Sequence, residues 1–134
     1  MDALQIAELS ALKALEKKAE NVVILDLEGK SSVADYFVVA SGMSDRQVAA
    51  MASYISDSLR EYGVKASREE GLRDGRWALI DFGTVIVHVF LDHLRDYYNL
   101  EGLWAEAKRI RISEDAMTAT TYSDGQGSGN SAFL

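Results

Sequence analysis

Behind Asp2, apolar side chains recur at Leu4, Leu9, Leu12 and Leu15, a spacing that predicts a capped helix running to about Glu20, with Lys17 and Lys18 suited to its C-terminal end. The pattern then switches to unbroken apolar runs. Val22 to Leu27, closed by Glu28-Gly29-Lys30, predicts a buried first strand and a turn, and Asp35 to Ser41 predicts a second strand. Ser44 and Gln47 have the spacing of a capping box. They open a long helix in which Val48, Met51, Ile55, Leu59 and Tyr62 form one stripe and Gly63 supplies the stop. Val64 to Glu70 carries Lys65, Ser67, Arg68, Glu69 and Glu70, and fits an edge strand that its charges protect from further pairing.

The strongest pattern lies between Trp77 and Phe90. Two apolar segments are hinged near Phe82, Gly83 and Thr84, where Gly83 accepts a positive φ and the β-branched residues beyond it favour a pleat, so a hairpin is predicted. Val85, Val87 and Val89 point to one face, and Ile86, His88 and Phe90 to the other. Both faces are largely apolar, which places this strand inside a sheet. Farther on, Asp92 is positioned to cap a short helix through Tyr98, and Asn99 to cap another through Leu103, Trp104 and Ala107. Residues 113–134 change to Gly, Ser and acidic residues and are expected to form a flexible tail, leaving residues 1–112 as the folded domain. The order of elements predicts an α/β (α+β) domain with a mixed sheet of about five strands and flanking helices.

Composition narrows the function. The 134 residues are enough for one domain with its own core, and the absence of cysteine excludes disulfides, thiolate zinc sites and thiol catalysis. No apolar run approaches the roughly 20 residues that cross a bilayer, and the N-terminus lacks a basic-then-apolar signal pattern, so a soluble cytoplasmic protein is expected. Net charge is −7, and residues 1–112 hold 14 basic against 18 acidic side chains. Little direct nucleic-acid contact is expected from such a domain, since phosphate-tracking surfaces rest on clustered Lys and Arg. A basic protein surface suits it better.

Local motifs for chemistry are weak. Gly29-Lys30-Ser31 lacks the glycine five residues upstream that a phosphate loop needs, because that position is Ile24. His88 and His93 are the only histidines, and their spacing does not match a two-histidine metal motif on a helix; a hydrogen-bonded structural role fits His88. Asp81-Phe82-Gly83 spells a magnesium motif of kinases without the rest of a kinase, and reads as a hairpin corner in which Asp81 accepts backbone bonds or faces a partner's arginine. The aromatic cluster of Trp77, Tyr97, Tyr98 and Trp104 suits a core or an interface equally well.

Several longer stretches carry a resemblance. Asp35-Tyr36-Phe37-Val38-Val39-Ala40-Ser41-Gly42, Ser44-Asp45-Arg46-Gln47, Trp77 to Gly83, Val85 to Phe90, and Arg95-Asp96-Tyr97-Tyr98-Asn99-Leu100-Glu101-Gly102-Leu103-Trp104 resemble the ribosomal silencing factors, the RsfS or Iojap-like family, over roughly Leu4 to Ala107. Gly102 departs from the pattern, which has a large polar residue there. The resemblance implies a nucleotidyltransferase-like topology. It also implies binding to the large ribosomal subunit, through the interface protein conventionally numbered fourteen, so that the small subunit cannot join and translation is repressed. A partner surface of Trp77, Tyr98, Leu100 and Trp104, with Asp81, Arg95 and Glu101 as polar neighbours, is what the resemblance adds to the aromatic cluster.

Two alternatives come with it. A nucleotidyltransferase needs carboxylates on neighbouring strands downstream of a Gly-Ser loop to hold magnesium. Ser41-Gly42-Met43-Ser44 passes for the loop, but Asp26 and Glu28 precede it, and no acidic pair lies along the Trp77 or Val85 strands. No enzyme, cofactor or metal is therefore expected. The second alternative is a factor in large-subunit assembly, and the family reading allows a homodimer in the free state.

Overall fold

A computed structural model describes residues 1–112 and the backbone of 119–122. Helix α1 (Ala3–Glu16) opens with a reciprocal capping box: Asp2 accepts from the Gln5 backbone and Gln5 returns the bond to the Asp2 amide. It ends four residues short of the expected Glu20. Lys18 takes a left-handed conformation at φ 68°, and the Lys18 and Ala19 amides bond back to Leu15 and Ala14, a Schellman stop built without glycine.

Strands β1 (Glu20–Asp26) and β2 (Tyr36–Gly42) form an antiparallel pair, and α2 (Asp45–Glu61) crosses to the exposed strand β3 (Arg68–Glu70). The hairpin follows as β4 (Trp77–Asp81) and β5 (Val85–Leu91), closed by the Phe82 amide on the Val85 carbonyl, with Gly83 at φ 95°. Short helices α3 (Asp92–Tyr98) and α4 (Leu100–Leu103) then lead into β6 (Lys108–Ile112) and β7 (Ala119–Tyr122). The sheet runs β3-β4-β5-β2-β1-β6-β7, seven strands where about five were expected, and every pairing is antiparallel except the central β2–β5 pair. The additional strands come from Lys108 onward, where charged and apolar residues alternate as Lys-Arg-Ile-Arg-Ile. Of the segment expected as a tail, 119–122 form β7, and the remainder lies outside the described residues.

The sheet separates two apolar clusters. On one face α1 and α2 bury Val22, Ile24, Val38, Ala40, Ile80, Val85, Val87 and Val89. Ala7, Ala11 and Ala14 are fully buried on α1, and these small side chains let that helix lie close to its neighbours. The α2 stripe is as expected through Leu59, but Tyr62 is 57% exposed, because the helix ends there and Gly63 turns the chain away.

One side chain bridges the end of the first long helix and the start of the second. Ser44 Oγ accepts the Gln47 amide, but Gln47 Oε1 accepts from Met43 rather than from Ser44, and its Nε2 donates to the Lys17 and Lys18 carbonyls at 3.1 and 3.2 Å. The end of α1 and the start of α2 are thereby joined.

Candidate partner-binding face

The second face of the sheet is built from the other parity of each strand: Val23 and Leu25 on β1, Phe37 and Val39 on β2, Trp77 and Leu79 on β4, Ile86 and Phe90 on β5. No long helix among the described residues covers it. Its cover is α3, α4 and the segment to Ala107, from which Leu94, Leu100, Trp104 and Ala107 pack downward. Trp77 and Trp104 are half-buried on this face; the Trp77 ring lies 4.8 Å from those of Phe90 and Tyr98, and Trp104 meets Phe37 edge-on at 6.1 Å.

His88 sits in the middle. Its Nδ1 accepts the Trp77 indole N–H at 3.1 Å, and because an indole nitrogen only donates, the neutral imidazole carries its proton on Nε2. Nε2 is buried and has no hydrogen-bond partner among the described residues, and the ring stands edge-on to Phe37 at 4.7 Å. Burial pushes the His88 pKa down from 6.5 to about 4.

The outer layer is exposed. Tyr97 is 77%, Tyr98 48% and Leu103 76% exposed, and the two tyrosine rings meet edge-on at 5.1 Å. Beside Leu103 and Trp104 a cleft of about 360 Å³ is lined also by Lys30 and Glu106. Asp92, Asp96, Glu101 and Glu106 surround these side chains in sequence, and Arg95 is the one Lys or Arg among residues 91–107.

The expected site residues fall into three groups. Trp77, Tyr98, Leu100 and Trp104 share this face, Trp77 and Leu100 lying deeper than Tyr98. Asp81 has the same parity but sits four residues along β4 from Trp77, about 13 Å away, where its Oδ1 accepts the Gly83 amide at 2.8 Å and its Oδ2 lies 4.0 Å from Arg68. Arg95 is inside the protein. Its Nε and one terminal nitrogen each donate to a Glu101 carboxylate oxygen at 2.9 Å; the other terminal nitrogen reaches the Asn21 carbonyl at 2.7 Å and Ser41 Oγ at 2.9 Å. Burial acts most strongly on Glu101 and pushes its pKa up, yet the Arg95 bonds and charge, joined by Arg109 and Arg111, leave it lowered.

Tyr97 and Leu103 complete the exposed patch; Tyr97 belongs to the aromatic cluster noted in the sequence, but neither is among the expected partner residues. Helical spacing from the buried Leu94 points both Tyr97 and Tyr98 inward, but α3 ends at Asn99, whose left-handed conformation (φ 48°) turns α4 away and leaves Tyr97 outside. Asn99 caps α4 without a side-chain bond, and Asp92 is the first residue of α3 rather than its cap.

Among the described residues, no group of three or more His, Cys, Asp or Glu is placed to hold a metal ion. Likewise, no described helix is long and apolar enough to cross a membrane. A family described as ribosomal silencing factor during starvation, RsfS, matches residues 1–132. The chain belongs to the RsfS family.

Among RsfS relatives, the ribosomal silencing factor of Bacillus subtilis is 45% identical over 107 residues, covering 80% of this chain and 91% of that one. A crystal structure of a Chromobacterium violaceum protein superposes with a TM-score of 0.76 at 38% identity, covering 78% of this chain and 87% of that one. A mouse protein named for mitochondrial assembly of the ribosomal large subunit is 28% identical over 92 residues, which is 66% of this chain but 40% of the mouse protein. RsfS membership makes this a ribosome-associated regulator of translation rather than an enzyme.

Proposed function

We propose that the α3–α4 face docks on the large ribosomal subunit, on its interface protein conventionally numbered fourteen, and that the bound domain keeps the small subunit from joining. The observation that carries this reading is the exposed patch of Tyr97, Tyr98 and Leu103 over a sheet face that, among the described residues, no long helix covers. Aromatic and aliphatic side chains of this kind supply most of the energy of protein interfaces, and an acidic surround suits a basic ribosomal protein. Trp77, Leu100 and Trp104 form the layer that supports the patch, with Trp104 reaching its edge. Asp81, at the far end of β4, belongs to the rim.

Blocking by occupancy predicts a dependence on order. Added to large subunits before small subunits, the protein should lower the joined fraction on a density gradient in proportion to its concentration; added afterwards, it should do much less over short times. Equal joined fractions with and without a saturating amount, in the first order, would refute occlusion. A role in large-subunit assembly is the second reading, favoured by the name of the mouse relative. It predicts association with immature particles in preference to mature subunits.

A further inference from the structure

Helix α4 has four residues, none of them fully buried, and no side-chain cap at its start. A helix that short does not hold itself together in water, so something else must fix it. Leu100 and Trp104 pack beneath it, and Glu101 is gripped by both arms of Arg95. Arg95 in turn is 7% exposed and anchored to β1 through the Asn21 carbonyl and to β2 through Ser41. From the other side, Arg109 on β6 donates to the Glu101 backbone carbonyl. Five elements thus meet at one guanidinium–carboxylate pair, whose Glu101 lies in the same short helix as the exposed Leu103.

We propose that Arg95 is the positioning residue of the docking face: acting through Glu101, it fixes α4 so that Leu103 and Trp104 stand in register with Tyr98 and Trp77, and it makes no contact with the partner. This rests on the docking reading above. A bidentate pair sets both the distance and the rotation of α4, which one apolar contact cannot do. The lowered pKa of Glu101 is consistent with a carboxylate held ionised inside the protein by that pair. If α4 were free to leave the sheet, only the fraction of molecules with it seated would bind, and the apparent affinity would drop by that fraction.

Three variants separate positioning from contact. Arg95→Lys and Glu101→Gln are compared with Leu103→Ala by amide exchange of residues 100–104, by exchange of β2 and β5, by thermal unfolding and by affinity for isolated large subunits. For the first two, exchange at 100–104 should rise about ten-fold with β2 and β5 unchanged, and affinity should fall about ten-fold. Leu103→Ala should weaken binding while leaving exchange as it was. Weakened binding by Glu101→Gln with unchanged exchange would make Glu101 a direct contact and overturn the proposal. So would faster exchange with unchanged affinity, and so would loss of the whole fold in both Arg95→Lys and Glu101→Gln. Failure of the unaltered protein to bind large subunits would instead overturn the docking reading, and the exchange comparison would still decide whether the pair holds α4.

Discussion

The Trp77 indole N–H donates to His88 Nδ1 across 3.1 Å, joining neighbouring strands on the sheet face opposite the two long helices. The bond requires a neutral imidazole with Nδ1 free to accept. Burial keeps the His88 ring neutral as well, so the unfolded chain binds a proton there below pH 6.5 and the folded chain only near pH 4. Its stabilising effect is complete above pH 6.5 and lost as pH falls from there to about 4, a change of about 3 kcal/mol over the window. Urea unfolding at several pH values should show that slope, and His88→Phe should flatten it. An unchanged slope in the variant would assign the pH dependence to other groups.

Leu103→Ala and Tyr98→Ala test the exposed patch. Truncating an interface anchor costs about 2 kcal/mol, roughly 30-fold in affinity. Leu103 is 76% exposed, so its loss should leave the unfolding midpoint nearly unaltered while binding to large subunits falls. Trp77→Ala, by contrast, should destabilise the fold by about 2–3 kcal/mol, since it removes a half-buried ring together with the hydrogen bond to His88. Calorimetry and cosedimentation on the same three variants separate the two effects.

Gln47→Ala should loosen the joint between the two long helices. The side chain satisfies Met43 and both carbonyls at the end of α1, and losing those bonds should lower stability by about 1–2 kcal/mol in urea unfolding. Ser44→Ala, which removes only the cap on the Gln47 amide, should cost about 1 kcal/mol.

Removing the chain from Ser113 onward is expected to leave both fold and large-subunit binding in place. β6 keeps its four-residue register with β1, and the described members of both apolar clusters lie within residues 1–112. The measurement is circular dichroism of the truncated protein alongside cosedimentation. A collapse of the melting transition would show that β7 contributes more than an edge.

What the sequence revealed followed how local each signal was. The Ser44 cap, the Val48-to-Leu59 stripe and the alternation along β5 depend on residues within a few positions of one another, and they reappear in the structure. The end of α1 did not show, because Lys18 adopts the left-handed turn that glycine usually signals. Arg95 is expected as a polar neighbour of the partner surface, but it is buried on partners Asn21 and Ser41 that lie 74 and 54 residues away, and no periodicity marks a contact that distant. Of the residues that the family resemblance named, Trp77, Tyr98, Leu100 and Trp104 share one face. The structure adds that the charged members differ in kind, Arg95 and Glu101 holding the face together and Asp81 closing a hairpin at its far end.

The parallel pairing of β2 with β5 also bears on how the chain folds as it is made. A parallel neighbour cannot arrive through a tight turn, so β2 has one unpaired edge until residues 43–84 have been added, and β1 has one until β6 follows. At about 5–20 residues per second, the gap before β5 lasts roughly 2–8 s. During it, Val23, Leu25, Phe37 and Val39 form an apolar hairpin surface that the rest of the second face has yet to meet. The centre of this sheet is therefore secured only once β5 has been made, and the outer β1–β6 pairing later still, so the nascent chain is open to wrong pairing in those seconds.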